Sequence, residues 1–90
     1  MENQHRLIKG YRELTQVEID LMNRIKDKSR EMLELQKEVV EYLKNQEAHG
    51  GQEVFEHLER TTPYRWAALA KTDFQTGTMA LVRAVAQPED

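Results

Sequence analysis

The amino-acid sequence predicts an all-α protein built from three helices, and three observations support this. Apolar residues recur every seven positions along one long segment and at helical spacing along a second segment near the end. A capping motif opens the first segment and a glycine pair closes it. We expect a single helical domain over residues 1–90, divided into a basic N-terminal segment (1–14), a long helix (15–48), a short helix (52–60) and a C-terminal helix (62–87).

The long helix has a recognisable start, seam and end. Thr15 and Glu18 have the spacing of a capping box, in which each side chain bonds the backbone N–H of the other residue. Lys28 interrupts a seam with the period of a coiled coil. The seam consists of Ile25, Met32 and Val39, complemented by Leu21, Leu35 and Tyr42. Gly50 and Gly51 are expected to end this helix with a left-handed residue and a loop.

The C-terminal helix follows a predicted turn. Thr62 can cap this helix, and Pro63 suits the first helical position. The residues that recur at helical spacing are Trp66, Ala67, Ala70, Phe74, Gly77, Leu81 and Ala84. A glycine costs roughly 1 kcal/mol inside a helix. Gly77, lying among alanines, therefore indicates a place where another helix approaches closely.

The length of the first helix predicts an oligomer. At a rise of roughly 1.5 Å per residue, a helix over 15–48 is about 50 Å long. A compact chain of this size has a radius of gyration of only about 12 Å. The helix would protrude from a monomer with its seam uncovered, so further chains are expected to cover it.

Composition and charge exclude several classes of protein. The formal net charge is −3, and residues 13–60 hold seven cations against twelve acids, which disfavours non-specific DNA binding. No apolar run approaches the roughly 18 residues of a membrane span. The opening MENQHRLIKG lacks the apolar core of a signal peptide. The chain has no cysteine, which is compatible with a reducing cytoplasm.

No catalytic fingerprint is present, so an enzyme is not expected. The sequence has no glycine-rich phosphate loop, no nucleophile elbow and no HExxH motif. Glu53 and His57 would share a helix face, with His49 nearby, but these residues are too few for a metal site. We therefore expect no metal and no cofactor.

The segment from Arg6 to Arg12 is a candidate binding site. Gly10 allows the backbone to turn, so that Tyr11 can project and stack on a nucleobase. The neighbouring cations can pair with phosphate. In the alternative interpretation, Tyr11 packs on the long helix and the cations are solvated.

Two further sets of residues allow both a structural and a binding interpretation. Lys28 either specifies the register of the seam or lines a pocket between chains. Arg65, Thr72 and Thr76 lie along one face of the C-terminal helix, with Lys71 beside them. That face either binds phosphate or forms hydrogen bonds between helices.

Two stretches resemble the phage anti-CBASS protein 2 family. They are KGYRELTQVEIDLMNRIKD (9–27) and RWAALAKTDFQTGTMALVRAVAQP (65–88), whereas residues 28–62 look divergent. CBASS is a bacterial immune system that signals infection with cyclic oligonucleotides. Members of the family resemble sponges, which bind the signal without cleaving it.

The resemblance implies an interlocked all-helical homohexamer with two kinds of pocket, acting in the cytoplasm of an infected bacterial cell. Cyclic dinucleotides such as cyclic GMP-AMP would bind between neighbouring chains, and cyclic trinucleotides where three chains meet. The matching positions for the dinucleotide are Tyr11 (stacking) and Lys26 (phosphate), with Gly10 and Arg12 beside Tyr11. Lys28 stands where the family has a polar side chain near the ligand, and this departure would strengthen phosphate contact or alter ligand choice. The candidates for the trinucleotide are Arg65, Thr72, Thr76 and Lys71. The alternative is a structural or interaction oligomer without a nucleotide ligand.

Overall fold

The computed structural model describes residues 13–89, which form three helices. These are α1 (Gln16–His49), α2 (Gly51–Thr61) and α3 (Pro63–Ala86), and the described residues contain no strand. The prediction of an all-α fold is therefore confirmed. α1 and α3 run antiparallel, since Gln36 contacts Ala67 and Ser29 contacts Thr78.

α1 begins with the capping box that its sequence predicts. The backbone N–H of Glu18 donates to Thr15 Oγ1 at 3.1 Å, and the backbone N–H of Thr15 donates to Glu18 Oε1 at 2.8 Å. These two bonds satisfy donors that a helix start otherwise leaves without a partner. The start of α1 is thus determined by local chemistry.

The backbone at Gly50 and Gly51 differs in part from the prediction. Gly50 has φ −92° and ψ −11°, which is right-handed backbone, and α2 begins at the next residue, Gly51, with φ +74°. The prediction of a loop is wrong, because Gly50 alone separates α1 from α2. Gly50 also packs closely, since a Cβ atom there would overlap the side chain of Val54.

The turn into α3 also departs from the prediction. Thr62 has φ 47° and ψ 52°, in the left-handed region, and its side chain makes no capping hydrogen bond. Thr62 occupies the cap position before α3 as predicted, but its side chain does not bond the first turn, because a capping side chain needs extended backbone to aim its oxygen there. Thr62 instead ends α2, with its backbone N–H donating to Leu58 O at 2.9 Å. Pro63 opens α3 as predicted.

The hairpin of α1 and α3 is long and has a thin core. Leu43 and Leu58, each 7% exposed, are the buried hydrophobic residues of the described chain. Gln36 Nε2 donates to Ala67 O at 2.9 Å and ties the two long helices together. The molecule measures 66 × 23 × 15 Å, with a radius of gyration of 19.9 Å. A compact chain of this length would have about 12 Å.

One side of the hairpin exposes the predicted seam, and we call this side the open face. It consists of Leu21, Met32, Leu35, Val39 and Tyr42, which are between 38% and 65% exposed. α3 packs beside these residues and does not cover them. The protomer therefore leaves uncovered the apolar residues that elsewhere would form a core.

Candidate functional site

A groove of the described structure lies between α1 and α3. It has a volume of about 470 Å³. It is lined by Leu21, Arg24, Ile25, Lys28, Ser29 and Met32 of α1 and by Asp73, Phe74, Gly77, Thr78 and Leu81 of α3. A Cβ atom at Gly77 would meet nothing within 4 Å. Gly77 therefore borders open space and is not needed for the packing of α3 on α1.

Lys28 brings positive charge to this groove. Its Nζ atom lies 3.8 Å from Glu31 Oε2, and both side chains are exposed. Such a surface pair contributes little, about 0–1 kcal/mol, so Lys28 can exchange it for another anion. Arg24 adds a second cation, and Asp73 is the one acid among the described residues that line the groove.

Two hydroxyl groups also line the groove. Thr78 Oγ1 lies 2.7 Å from Ser29 Oγ and 2.8 Å from Phe74 O. Thr78 has a single hydroxyl proton and can donate it to only one of these oxygens. When Thr78 donates to Phe74 O, the Ser29 proton completes the contact between the hydroxyls. When Thr78 donates to Ser29, the Ser29 proton is available to a bound group.

The other predicted dinucleotide residues do not reach this groove within one protomer. Lys26 is exposed and does not line it. Residues two positions apart in a helix point about 200° apart, so Lys26 and Lys28 project from opposite sides of α1. Gly10, Tyr11 and Arg12 lie outside the described residues. The structure therefore brings Lys28 to a groove and leaves the other predicted contacts apart from it.

The predicted trinucleotide residues are exposed on α3. Arg65, Thr72 and Thr76 share the side of α3 that faces away from α1, given about 100° per residue. Lys71 is also exposed but projects about 100° from Thr72, from a different side. The three residues on the outer side form no enclosed site by themselves, so a ligand there would need contacts from another chain.

Arg65 contacts an aromatic ring. Its guanidinium carbon lies 5.3 Å from the centroid of the Trp66 ring, within the range of a cation–π interaction. Trp66 is 60% exposed. Trp66 is predicted from the sequence only as part of the helical pattern, although its position next to Arg65 could have indicated the contact.

Arg65 also borders a second pocket of about 320 Å³, which we call the corner pocket. It is lined by Glu47, Phe55, Leu58, Glu59, Thr62, Pro63, Tyr64 and Arg65. Two glutamates make it unfavourable for an anion. Partial burial, and then the Glu47 carboxylate that accepts its hydrogen bond, raise the pKa of Tyr64 above the usual 10.0.

The structure shows neither a metal cluster nor a membrane-spanning helix in the part of the chain that it describes. Within residues 13–89, no three His, Asp or Glu side chains are arranged to hold a metal ion. None of the three helices is long and apolar enough to cross a membrane.

Sequence reasoning missed Arg24, Ser29 and Thr78 as lining residues of the groove. Arg24 and Ser29 lie one turn before and one position after Lys28, but spacing alone does not show which residues of α3 face them. Thr78 belongs to the opposite wall, 49 positions from Ser29. Only the packing of the two helices brings these groups together.

Comparisons with known proteins place these features in a family. The family described as the Acb2/Tad1 hairpin domain matches residues 3–86. The chain is also 50% identical to Anti-CBASS protein 2 of Pseudomonas phage JBD67, over 99% of this chain and 98% of that protein. The long α1–α3 hairpin is in keeping with the name of the domain. The chain therefore belongs to the Acb2/Tad1 hairpin-domain family.

Proposed function

We propose that this protein binds and sequesters cyclic dinucleotide and trinucleotide immune signals without cleaving them, and so antagonises CBASS defence. The observation that carries the proposal is the 50% identity to Anti-CBASS protein 2 over nearly the full length of both chains. The place of action would be the cytoplasm of the infected bacterial cell. Evasion of host immunity would then follow from mass action, because bound signal is withheld from its effector.

The ligand pockets of this proposal form between chains of a homohexamer. The open face supports an oligomer because five large apolar side chains are exposed along α1. Gly77 supports it as well, since its missing side chain leaves room beside the groove. A pocket built by assembly is already organised before the ligand arrives, which reduces the cost of binding.

Tyr11 and Lys26 carry the dinucleotide site in this proposal. The tyrosine ring would stack on a base, a contact worth about 1–3 kcal/mol. The ammonium group of Lys26 would pair with phosphate. Lys28 would add positive charge from the groove. Gly10 would allow the backbone to turn before Tyr11, and Arg12 would add positive charge beside it. Because Lys26 and Lys28 project from opposite sides of α1, one ligand would contact both only with residues from two chains.

The trinucleotide site would use the outer side of α3. Arg65 offers a planar fork to phosphate, and Thr72 and Thr76 offer hydroxyl groups one turn apart. Lys71 lies on another side, so it would contribute at longer range. α3 contains Arg65, Lys71 and Arg83 against the single acid Asp73. This balance favours an anionic ligand in an otherwise acidic protein.

Calorimetry with two ligands tests the proposal. Cyclic GMP-AMP and a cyclic trinucleotide are titrated separately into the purified protein, and we expect saturable binding of both at about nanomolar affinity, or about −12 kcal/mol. Heat denaturation of each complex should then release intact ligand. Recovery of a linear product would contradict sequestration and indicate an enzyme. Absence of binding to both ligands would contradict the proposal as a whole.

A structural or interaction oligomer is the second candidate, and the open face is the observation that favours it. Apolar exposure on this scale marks a surface that binds protein. This candidate predicts assembly without nucleotide affinity, whereas the first predicts both. The same calorimetry on the assembled protein therefore separates the two.

A further inference from the structure

Trp66 is placed to control where the Arg65 side chain points. The guanidinium carbon is 5.3 Å from the ring centroid, and the indole itself is 60% exposed. Ion pairs within residues 13–89 include Lys28–Glu31, Arg30–Asp27 and Lys44–Glu41, and none between described residues includes Arg65. The contact with Trp66 is therefore the interaction that orients the Arg65 head group.

The direction of this contact matters because the two sides of Arg65 differ in charge. Successive helical residues are about 100° apart, so Tyr64 and Trp66 flank Arg65 on opposite sides. The Tyr64 side opens on the corner pocket, where Glu47 and Glu59 would attract a guanidinium. Arg65 itself borders this pocket, yet its head group contacts the indole and forms no ion pair with either carboxylate.

We propose that Trp66 is a positioning residue that holds Arg65 ready for the phosphate of a cyclic trinucleotide. The inference rests on the trinucleotide site proposed above and adds a residue to it. Arginine loses much rotamer freedom when it binds, and stacking on an aromatic ring reduces that loss by restricting the side chain beforehand. The planar guanidinium carries its N–H donors around its edge, and the cation–π contact with the indole is not a hydrogen bond that would occupy them. Its edge therefore stays available for bidentate binding of phosphate.

Two substitutions at Trp66 test the role. Trp66→Leu removes the aromatic face, and we expect its affinity for cyclic triadenylate to fall about two- to five-fold, the range of an exposed cation–π contact. Trp66→Phe keeps an aromatic face and should retain most of the affinity. Neither substitution should change the affinity for cyclic GMP-AMP, which serves as the internal control. Sedimentation should show an unchanged oligomer for both variants.

A double-mutant cycle separates positioning from a merely structural effect. If Trp66 acts through Arg65, Trp66→Leu should not lower the affinity for cyclic triadenylate any further in an Arg65→Ala background. An equal loss in both backgrounds would overturn the proposal, because Trp66 would then act independently of Arg65. Wild-type affinity of Trp66→Leu, or loss of its oligomer, would overturn it as well.

The wild-type protein separates failure of this inference from failure of the function. If it binds cyclic triadenylate and Arg65→Ala weakens that binding, the proposed site stands whatever Trp66 does. If it binds no cyclic trinucleotide, the site and the role of Trp66 fail together. Trp66 is the one tryptophan of the sequence, so its fluorescence should change with cyclic triadenylate. Unchanged emission on saturation would contradict a ligand beside the indole.

Discussion

Lys28 interrupts the apolar seam of α1 and is also a candidate contact for a ligand. The seam of α1 is apolar on either side of it, and a lysine at a seam position costs stability. The structure places Lys28 at the groove together with Arg24, opposite Asp73. Lys28 can therefore both specify the register of the seam and contact a ligand, because the groove lies along the side of the hairpin that exposes the seam.

Two residues should separate the two proposed ligand sites. Tyr11→Ala removes the stacking ring and should abolish binding of cyclic GMP-AMP, while the oligomer and trinucleotide binding are retained. Arg65→Ala removes a phosphate contact and should weaken trinucleotide binding while sparing cyclic GMP-AMP. Calorimetry with both ligands on both variants measures this, and each variant is the control for the other. Equal loss of both ligands in either variant would contradict the division into two sites.

Tyr64 should make stability depend on alkaline pH. Its folded pKa lies above 10.0, so the folded state holds the phenol proton more tightly than the unfolded state. This contribution is fully present below the unfolded pKa and is lost as pH rises through the folded pKa. Tyr64→Phe should therefore flatten the fall in stability above about pH 10, measured by urea unfolding at several pH values.

Glu47→Gln tests whether the Glu47 carboxylate contributes to the raised pKa of Tyr64. It removes the carboxylate that raises the Tyr64 pKa and leaves the phenol in place, so part of the pH dependence should disappear. A pH profile for Tyr64→Phe that matches the wild type would show that another group is responsible.

At the level of helices, the junctions are tighter than their sequences indicate. α1 and α2 are separated only by Gly50, and α2 and α3 only by Thr62. Both Gly51 and Thr62 have positive φ values, yet only one is a glycine. A β-branched residue in this region is strained, since left-handed backbone costs an L-residue about 1–2 kcal/mol.

Relieving the strain at Thr62 should stabilise the protein. Thr62→Asn introduces a residue that tolerates left-handed backbone, and we expect a gain of up to about 1 kcal/mol. Thermal unfolding at equal protomer concentration should show a higher Tm. The control is Thr61→Asn, one position earlier in helical backbone, which should give no gain. A lower Tm for Thr62→Asn than for Thr61→Asn would contradict the strain.

At the level of the whole molecule, the protomer is too long and buries too few apolar residues for a stable monomer. The protomer is 66 Å long and has two buried apolar residues in its described part. A chain of this size without cysteine has no disulfide to stabilise it and gains stability from assembly. The open face is the expected place for that assembly, because the groove between α1 and α3 and Gly77 lie beside it.

A charge on the open face should therefore disrupt the oligomer. Leu35 is 53% exposed, so Leu35→Glu should cost the isolated protomer little. In an assembly it would bury an unpaired carboxylate, and sedimentation velocity should show dissociation with helical circular dichroism retained. Asn23→Glu adds the same charge to another exposed position of α1, about 120° from Leu35 around the helix, and should assemble like the wild type. An intact oligomer for Leu35→Glu would place the interface elsewhere.

Local signals made most of the fold predictable. The capping box defines the start of α1, and Pro63 the start of α3, because both act within a few residues of themselves. The junctions were predicted less well. Whether Gly50 or Gly51 takes positive φ, and whether Thr62 caps or turns, depends on how Val54 and the following helix pack. Those contacts are not encoded in the turn residues alone.

The sequence by itself determined the three helices, the overlong α1 and its uncovered seam, since periodicity and capping are local properties. It also carried the resemblance that the family match supports, and it brought Arg65, Thr72 and Thr76 to one side of α3. Only the tertiary structure decided that Lys28 meets Ser29 and Thr78 across a groove while Lys26 points away. It also decided that Arg65 rests on Trp66. These placements depend on how antiparallel helices pack and on side-chain rotamers, neither of which is set by spacing along one helix.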